Sequence, residues 1–248
     1  MPKYFVKPED IDKENSAVIL SGENAEHLIS VLRARRGDPV VVCDGCSTDY
    51  HCEITDIVSG RGKRLSVKIL SERGVREPRL QTTVYQALPK TDKMEYIIQK
   101  CVEMGVHSIV PIYTDNSDIK ALSDAKLARY RKISEASAKQ SMRGIIPDIG
   151  APITLKQAVA DSAGYNLAFA AYENENRIGL KDILSDMAKY NAAAFFIGAE
   201  GGFSDDEADM FIKADIPRVS LGARILRTET AGFAVLTVLM YTSGELGV

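Results

Sequence analysis

The apolar pattern of the chain changes its period near residue 80, and this change limits the possible folds more than any other feature. Beyond that point, short apolar runs typical of strands alternate with segments whose apolar residues recur at helical spacing. The pattern predicts strands over 82–88, 108–113, 167–172, 192–197 and 218–221, and helices over 94–104, 123–142, 155–161, 180–190, 205–214 and 229–243. Because strands and helices alternate, we expect an α/β domain with a parallel sheet covered by helices.

The residues before that point have a different pattern. Short strand-like runs over 17–20, 39–43, 51–57 and 65–70 are separated by turn signals, and one short helix is expected over 26–32. This pattern predicts a small, mostly antiparallel β-barrel or sandwich. Residues 71–79 are polar and contain Gly and Pro, which is typical of a linker. We therefore predict two domains, 1–72 and 73–248.

Composition excludes several classes of protein. Of the 248 residues, 45% are hydrophobic and 26% are charged, which excludes wholesale disorder, a collagen-like chain and a disulfide scaffold. No run of 18 apolar residues is present, so no transmembrane helix and no membrane partner are expected. The first ten residues turn acidic before a signal-peptide apolar region can form, so we expect a cytoplasmic protein.

The cysteines raise the question of a metal site. Cys43 and Cys46, with His51 and Cys52, have a spacing that could bind zinc. However, Cys43 and Cys52 lie in the strand-like runs, where cysteine usually packs as a small hydrophobic residue. We therefore expect no metal site, and no disulfide in a reducing cytoplasm.

In open α/β sheets, ligands bind beyond the carboxyl ends of the strands. Three predicted strands end in unusual segments, at 170–173, 197–204 and 221–232. We expect a cofactor to bind there. The predicted cofactor-binding residues are Ala170, Ala171, Tyr172, Ile197, Gly198, Glu200, Gly201, Gly202, Leu221, Gly222, Ile225, Leu226, Arg227, Thr228, Thr230 and Ala231.

The glycine-rich segment 198–202 indicates which ligand fits. It contains neither the lysine of a P-loop nor a G-x-G-x-x-G pattern. The next helix begins Ser204-Asp205-Asp206-Glu207, and three carboxylates at the positive end of a helix repel a phosphate. A ligand with an adenosine, no phosphate and a positive centre suits the segment better, as in S-adenosylmethionine. The alternative is that the glycines only make a tight turn.

Two C-terminal motifs carry a resemblance to a known family. They are Ile197-Gly198-x-Glu200-Gly201-Gly202-Phe203-Ser204 and Leu221-Gly222-x-Arg224-Ile225-Leu226-Arg227-Thr228-Glu229-Thr230-Ala231. Together with His27-Leu28-x-x-Val31-Leu32-Arg33, the segment from Lys93 to Val106 and Gln140-Ser141-Met142-Arg143, they resemble the RsmE family over the whole chain. These are SPOUT-class methyltransferases that make N3-methyluridine in 16S ribosomal RNA.

The resemblance implies an N-terminal PUA-like RNA-binding β-barrel, a C-terminal SPOUT sheet with a trefoil knot, and S-adenosylmethionine bound in that knot. It also implies a homodimer, which would give a partner to the helix 233–241, apolar on nearly all sides. The sequence departs from the family pattern at Ala199 and Ala223, where the family usually has proline, so each loop loses a φ restraint.

The implied reaction transfers the methyl group to uridine N3, whose proton must leave. Arg143 and Arg227 are candidates to stabilise charge that develops on the uridine oxygens, and Glu200 and Glu229 are candidate proton acceptors.

The implied RNA partner is 16S rRNA within the small ribosomal subunit. The net charge is −3, so few charges are free for non-specific RNA binding. The basic residues are nevertheless clustered at Arg33, Arg35 and Arg36, and Lys3 lies near a position where the family tends to carry arginine. We expect these four residues to bind RNA. Two alternatives remain open from the residues alone: another nucleotide-binding α/β enzyme such as a dehydrogenase, and a non-catalytic RNA-binding module.

Overall fold

A computed structural model describes residues 1–90, 92–185 and 187–246 of the chain. By contacts, the chain divides into two compact units. The first unit consists of residues 1–77 with 138–146, and the second of 78–137 with 147–248. The structural boundary therefore lies five residues beyond the predicted one at 72/73, and a segment far along the chain belongs to the first unit.

The first unit is built on one six-stranded sheet, in the order β1-β4-β5-β6-β3-β2. Its strands are β1 (Lys3–Phe5), β2 (Ile11–Asp12), β3 (Ala17–Ser21), β4 (Pro39–Cys43), β5 (Thr48–Val58) and β6 (Arg64–Gly74). Strands β1 and β4 pair in parallel and all the other neighbours are antiparallel, which confirms the mostly antiparallel prediction. The predicted short helix is instead α1 (Gly22–Glu26) continued by one π-helical turn, His27–Val31.

The core of the first unit follows the alternation of its strands. Along β3, Val18 and Leu20 are buried while Ile19 is exposed. Cys43 and Cys52 are buried in the strands as small apolar residues, and burial raises the pKa of the Cys52 thiol to about 11. Among the described residues, no group of His, Cys, Asp and Glu side chains could hold a metal ion.

The start of the predicted linker is wrong. Residues 71–74 belong to β6, which pairs with β5 as far as the partners Thr48 and Gly74. Two irregularities in register, after His51 and after Ile54, accompany this long pairing. The polar composition of 71–74 belongs to the exposed end of a strand and not to a free connection.

The second unit is a parallel sheet in the order β10-β8-β7-β12-β11-β13, with β9 paired to β8. Its strands are β7 (Gln81–Ala87), β8 (Ser108–Tyr113), β9 (Asp148–Ile149), β10 (Ile153–Thr154), β11 (Leu167–Ala171), β12 (Ala192–Ile197) and β13 (Arg218–Val219). Its helices are α2 (Lys93–Glu103), α3 (Asp124–Gln140), α4 (Leu155–Asp161), α5 (Leu180–Ile183), α6 (Asp205–Lys213) and α7 (Thr228–Thr242), with α3 running on into the first unit. The predicted α/β domain with a parallel sheet is confirmed.

The prediction of one helix is wrong over most of its length. The pattern predicted a helix over 180–190, but α5 ends at Ile183 and a separate 3₁₀ turn follows at Met187–Lys189. Leu184 and Met187 are buried, so packing of these side chains overrides the helical spacing there.

The order of the strands places the site. Strands β12, β11 and β13 are neighbours and parallel, so their carboxyl ends meet at one edge of the sheet. Helix α7 covers this region with Val235, Leu236, Leu239 and Met240 buried, while Phe233, Val238 and Tyr241 stay partly exposed. Among the described residues, no helix is both long and apolar enough to cross a membrane.

Candidate functional site

A cavity of about 300 Å³ lies at the carboxyl ends of β11, β12 and β13. Its lining residues are Ala171, Tyr172, Glu173, Ile197, Gly198, Ala199, Glu200, Gly201, Gly202, Ser220, Leu221, Gly222, Arg224, Ile225, Leu226, Thr228 and Ala231. All three segments that were predicted to bind a ligand therefore meet around one cavity. Of the predicted cofactor residues, Ala170, Arg227 and Thr230 are not among its lining residues.

The glycine-rich segment forms a tight turn above β12. The amide of Gly202 donates to the carbonyl oxygen of Ala199 at 3.0 Å. Gly202 has a φ of +64°, which favours glycine, and a Cβ on Gly198 would lie 2.9 Å from the Gly202 Cα. The turn leads into α6, where Ser204 and Glu207 form the predicted capping box. The acidic first turn that disfavours a phosphate is therefore present.

The start of α7 forms the opposite wall of the cavity and is hydrogen-bonded to this turn. Thr228, at the start of α7, donates through Oγ1 to the carbonyl oxygen of Gly198 at 2.7 Å. The buried Gln86 on β7 in turn donates through Nε2 to Thr228 Oγ1 at 2.9 Å. Gln86 was not singled out by the sequence analysis, because it lies within an ordinary strand pattern 142 residues before Thr228.

Glu200 is held by Lys90, in the β7–α2 connection, and by Lys93, the first residue of α2. Its carboxylate accepts from Lys93 Nζ at 2.7 Å and from the Lys90 amide at 3.2 Å. Burial alone would raise the pKa of Glu200, but the contact with Lys93 and backbone hydrogen bonds from the amides of Glu200 and Lys90 outweigh it and lower the pKa. A carboxylate with a lowered pKa is a weaker proton acceptor, and its contacts show that Glu200 ties two segments together.

Two other charged residues accompany Lys93. Glu229 Oε2 lies 3.7 Å from Lys93 Nζ and, although it is buried, has no hydrogen-bond partner among the described residues. Arg227 Nη1 lies 4.0 Å from Glu229 Oε1, and its side chain is 83% exposed. Arg227 is thus held near the site by a weak contact, with its guanidinium open to a ligand.

The structure places Arg143 differently from the prediction. Arg143 lies in the first unit, is buried, and donates through Nε to Glu77 Oε2 at 3.0 Å. The same Glu77 accepts from the Gly144 amide at 2.7 Å. Arg143 is buried and Glu77 is largely buried, and removing one partner of such a pair is destabilising, so these contacts indicate a structural role for Arg143.

Lys3 does not present its charge to solvent. Its side chain is 0% exposed and its Nζ lies 2.7 Å from Asp49 Oδ1. A phosphate could reach this ammonium only if the buried pair opened, so we withdraw Lys3 as an RNA-binding residue. Arg33, Arg35 and Arg36 are all exposed, and Arg36 forms an ion pair with Asp56.

Four lining residues were missed as ligand contacts by the sequence analysis: Glu173, Ala199, Ser220 and Arg224. All four lie within or next to the three segments at the strand ends. The rule that ligands bind beyond the carboxyl ends of parallel strands could therefore have found them. Asn116 was also missed; it follows β8 and donates to the carbonyl oxygen of Gly201 at 2.7 Å. Nothing in its local sequence signals this contact.

The chain is similar to known proteins in sequence and in fold. A family model described as an RNA methyltransferase domain matches residues 76–240, and one described as an RNA methyltransferase PUA domain matches residues 20–68. The ribosomal RNA small subunit methyltransferase E of Synechocystis is 33% identical over 230 residues, which cover 92% of this chain and 74% of the relative. The protein of that name from Bacillus subtilis is 28% identical over 250 residues, which cover 97% and 96%.

Two solved structures resemble the whole chain. A methyltransferase from Legionella pneumophila, in complex with the cofactor S-adenosylmethionine, matches with a TM-score of 0.85 at 28% identity over 96% of each chain. A ribosomal RNA small subunit methyltransferase E from Neisseria gonorrhoeae, bound to S-adenosylmethionine, matches with a TM-score of 0.81 at 27% identity over 97% of each chain.

Proposed function

This chain belongs to the RNA methyltransferase family, and from that premise we propose that it methylates N3 of a uridine in 16S rRNA of the small ribosomal subunit. The chain is an S-adenosylmethionine-dependent rRNA methyltransferase. The observation that carries the proposal is the cavity at the strand ends, where both predicted motifs meet.

The residues of the cavity fit S-adenosylmethionine. The Gly198–Gly202 turn and the left-handed Gly222 line the cavity with main chain, and the space around Gly222 is open. The acidic start of α6 disfavours phosphorylated nucleotides such as NAD or ATP. The cofactor supplies a methyl group already activated by its sulfonium, so the protein mainly has to position the two reactants.

The chain must also help N3 of uridine to lose its proton. We assign to Arg227 the stabilisation of negative charge on the uridine oxygens, because its guanidinium is exposed beside α7. Glu200 is a weak candidate for the proton acceptor, since hydrogen bonds from Lys93 and from the Lys90 amide lower its pKa. Because N3 lies on the pairing edge of the base, the target uridine has to be unpaired or flipped out.

RNA binding by the first unit is part of the same proposal. The PUA match over 20–68 contains Arg33, Arg35 and Arg36, which are exposed around the end of the π-helical turn. Arg33 and Arg35 have no ion-pair partner among the described residues and are available for phosphates. A small cluster suits phosphates at defined positions, as in a folded ribosomal subunit.

We further propose that the protein acts in the cytoplasm as a homodimer that carries the trefoil knot of its family. Helix α7 supports the dimer, because it leaves Phe233 and Val238 each 37% exposed and Tyr241 71% exposed. The buried Leu236 and Met240 belong to the core, so a charge there would unfold the chain. Val238→Glu is the better test, and it should give monomers in light scattering, while Ile212→Glu on α6 should leave dimers.

Calorimetry with a panel of ligands tests the proposed function. We expect S-adenosylmethionine and S-adenosylhomocysteine to bind at micromolar concentrations, and NAD and ATP not to bind. Binding of NAD without S-adenosylmethionine would favour a dehydrogenase. Binding of RNA without any of these ligands would favour a non-catalytic RNA-binding module.

A further inference from the structure

The charged residues that line the cavity differ in whether other protein groups already bind them. Three of them carry a charge: Glu173, Glu200 and Arg224. The carboxylate of Glu200 is occupied by Lys93 Nζ and the Lys90 amide. Among the described residues, no hydrogen bond or ion pair engages the carboxylate of Glu173, and Arg224 in the same cavity does not pair with it. The cavity therefore contains one negative group that is free to meet a cation.

The position of this carboxylate is set by two elements. Glu173 follows β11 directly after Tyr172, which is 7% exposed and fixed in the core. Its side chain lies over the glycine turn, where a Cβ on Gly202 would come within 1.9 Å of Glu173 Oε1. The missing side chain of Gly202 thus leaves the space that the carboxylate fills. The carboxylate faces the turn that the cofactor is expected to contact.

We propose that Glu173 binds the α-ammonium group of the methionine moiety of S-adenosylmethionine, a role that rests on the proposed function. An ammonium offers three N–H donors, and a carboxylate accepts them in short, charge-assisted hydrogen bonds. Because the aminobutyrate tail extends from the adenosine, a carboxylate beside the glycine turn fixes the direction of that tail. Glu173 is thereby a specificity residue that favours ligands with a free amino group.

The sulfonium is the less suitable partner for this carboxylate. It has no N–H donor, and its positive charge disappears as the methyl group leaves. A carboxylate next to it would stabilise the bound cofactor more than the transition state and would slow the transfer. The ammonium keeps its charge throughout the reaction, so a contact with Glu173 holds the tail without opposing methyl transfer.

The test compares three ligands in calorimetry with the wild-type protein and with Glu173→Gln, which keeps the size of the side chain and removes its charge. S-adenosylmethionine and S-adenosylhomocysteine both carry the ammonium, and 5′-methylthioadenosine lacks the whole amino-acid tail. We expect Glu173→Gln to raise the Kd of S-adenosylmethionine and of S-adenosylhomocysteine about tenfold, equivalent to ~1.4 kcal/mol. The Kd of 5′-methylthioadenosine should stay unchanged. Asp209→Asn, which removes a charge from an exposed position on α6, should change none of the three.

Each other outcome overturns the assignment. An unchanged Kd for all ligands shows that Glu173 does not contact the cofactor. A loss confined to S-adenosylmethionine places Glu173 at the sulfonium. An equal loss for all three ligands, together with a lower melting temperature, gives Glu173 a structural role. If the wild-type protein binds none of the three, the proposed function itself fails, which separates the two claims.

Discussion

The side-chain amide of Asn116 donates a hydrogen bond to the main-chain carbonyl oxygen of Gly201 at 2.7 Å, although the residues are 85 positions apart. The loop that contains Asn116 holds the glycine turn and its surroundings at further points. Asp115 Oδ2 accepts from Ser204 Oγ at 2.7 Å, and Asp118 pairs with Lys90, whose amide contacts Glu200. The loop after β8 therefore supports the glycine turn and the residues that flank it.

Asn116→Asp should weaken the binding of S-adenosylmethionine. The aspartate has the same shape but only accepts hydrogen bonds, so it faces the Gly201 carbonyl without a proton to donate. Loss of one such bond predicts a rise in Kd of about 2- to 12-fold. Asn116→Ala should act in the same direction without adding a charge. Calorimetry beside thermal unfolding checks this, and an unchanged Kd in folded variants would contradict it.

Lys93→Met should move the acid limb of cofactor binding to higher pH. Lys93 lowers the pKa of Glu200, so in the wild-type protein this tie is present above the ordinary carboxyl pKa and is lost as the pH falls through the lowered value. In Lys93→Met the pKa of Glu200 rises, so its remaining contact with the Lys90 amide is lost at a higher pH. The Kd of S-adenosylmethionine, measured from about pH 4 to 8, reports the shift.

Lys100→Met is the matched control for Lys93→Met, because Lys100 lies on the same helix and pairs with Glu103. It should leave the pH profile of binding unchanged. Equal profiles for wild type and Lys93→Met would show that Glu200 does not hold the cofactor site.

Gly222→Ala should reduce cofactor affinity through the backbone. Gly222 has a φ of +109° and lines the cavity, but no atom lies within 4 Å of a Cβ placed there, so the cost comes from conformation and not from a clash. Gly244, with a φ of +78°, also has open space around it and does not line this cavity. Both alanine variants should lose about 1 kcal/mol of stability in denaturant titrations. Only Gly222→Ala should bind S-adenosylmethionine more weakly, and equal affinities would contradict this.

Comparison of sequence and structure shows which features depend on local pattern. The bounds of β8, β12 and α4 were predicted to the residue, because their apolar runs end at clear turn signals. The three ligand segments were found because the carboxyl ends of neighbouring parallel strands share an edge. By contrast, the burial of Lys3 and Arg143 depends on Asp49 and Glu77, which lie 46 and 66 positions away. No local pattern indicates such partners.

Ala199 stands where the family usually has proline, and hydrogen bonds restrain the turn around it. The sequence predicted that the loop loses a φ restraint at Ala199. In the structure, the turn is restrained by hydrogen bonds, from the Gly202 amide to Ala199 and from Asn116 to Gly201. The contact from Asn116 could not be anticipated, because Asn116 lies in a different strand connection.

Replacing Arg33 and Arg35 together with glutamine should lower the salt dependence of RNA binding. Each phosphate contact contributes about 0.7–0.9 to the slope of log K against log salt, so the double variant should lose up to about 2. Arg36→Gln should lose less, because Asp56 already pairs with Arg36. Filter binding to small ribosomal subunits at several salt concentrations measures the slopes. A larger loss for Arg36→Gln would contradict the assignment, as would a change in S-adenosylmethionine affinity.

The most direct test of the central claim is transfer of a labelled methyl group from S-adenosylmethionine to small ribosomal subunits that lack the modification. The rRNA is then digested to nucleosides and analysed by mass spectrometry. The account predicts up to one methyl group per subunit, recovered as 3-methyluridine, and little transfer to a short naked stem-loop that carries the same uridine. No transfer by a protein that binds S-adenosylmethionine, or a methyl group recovered on a ribose or on another base, would contradict it.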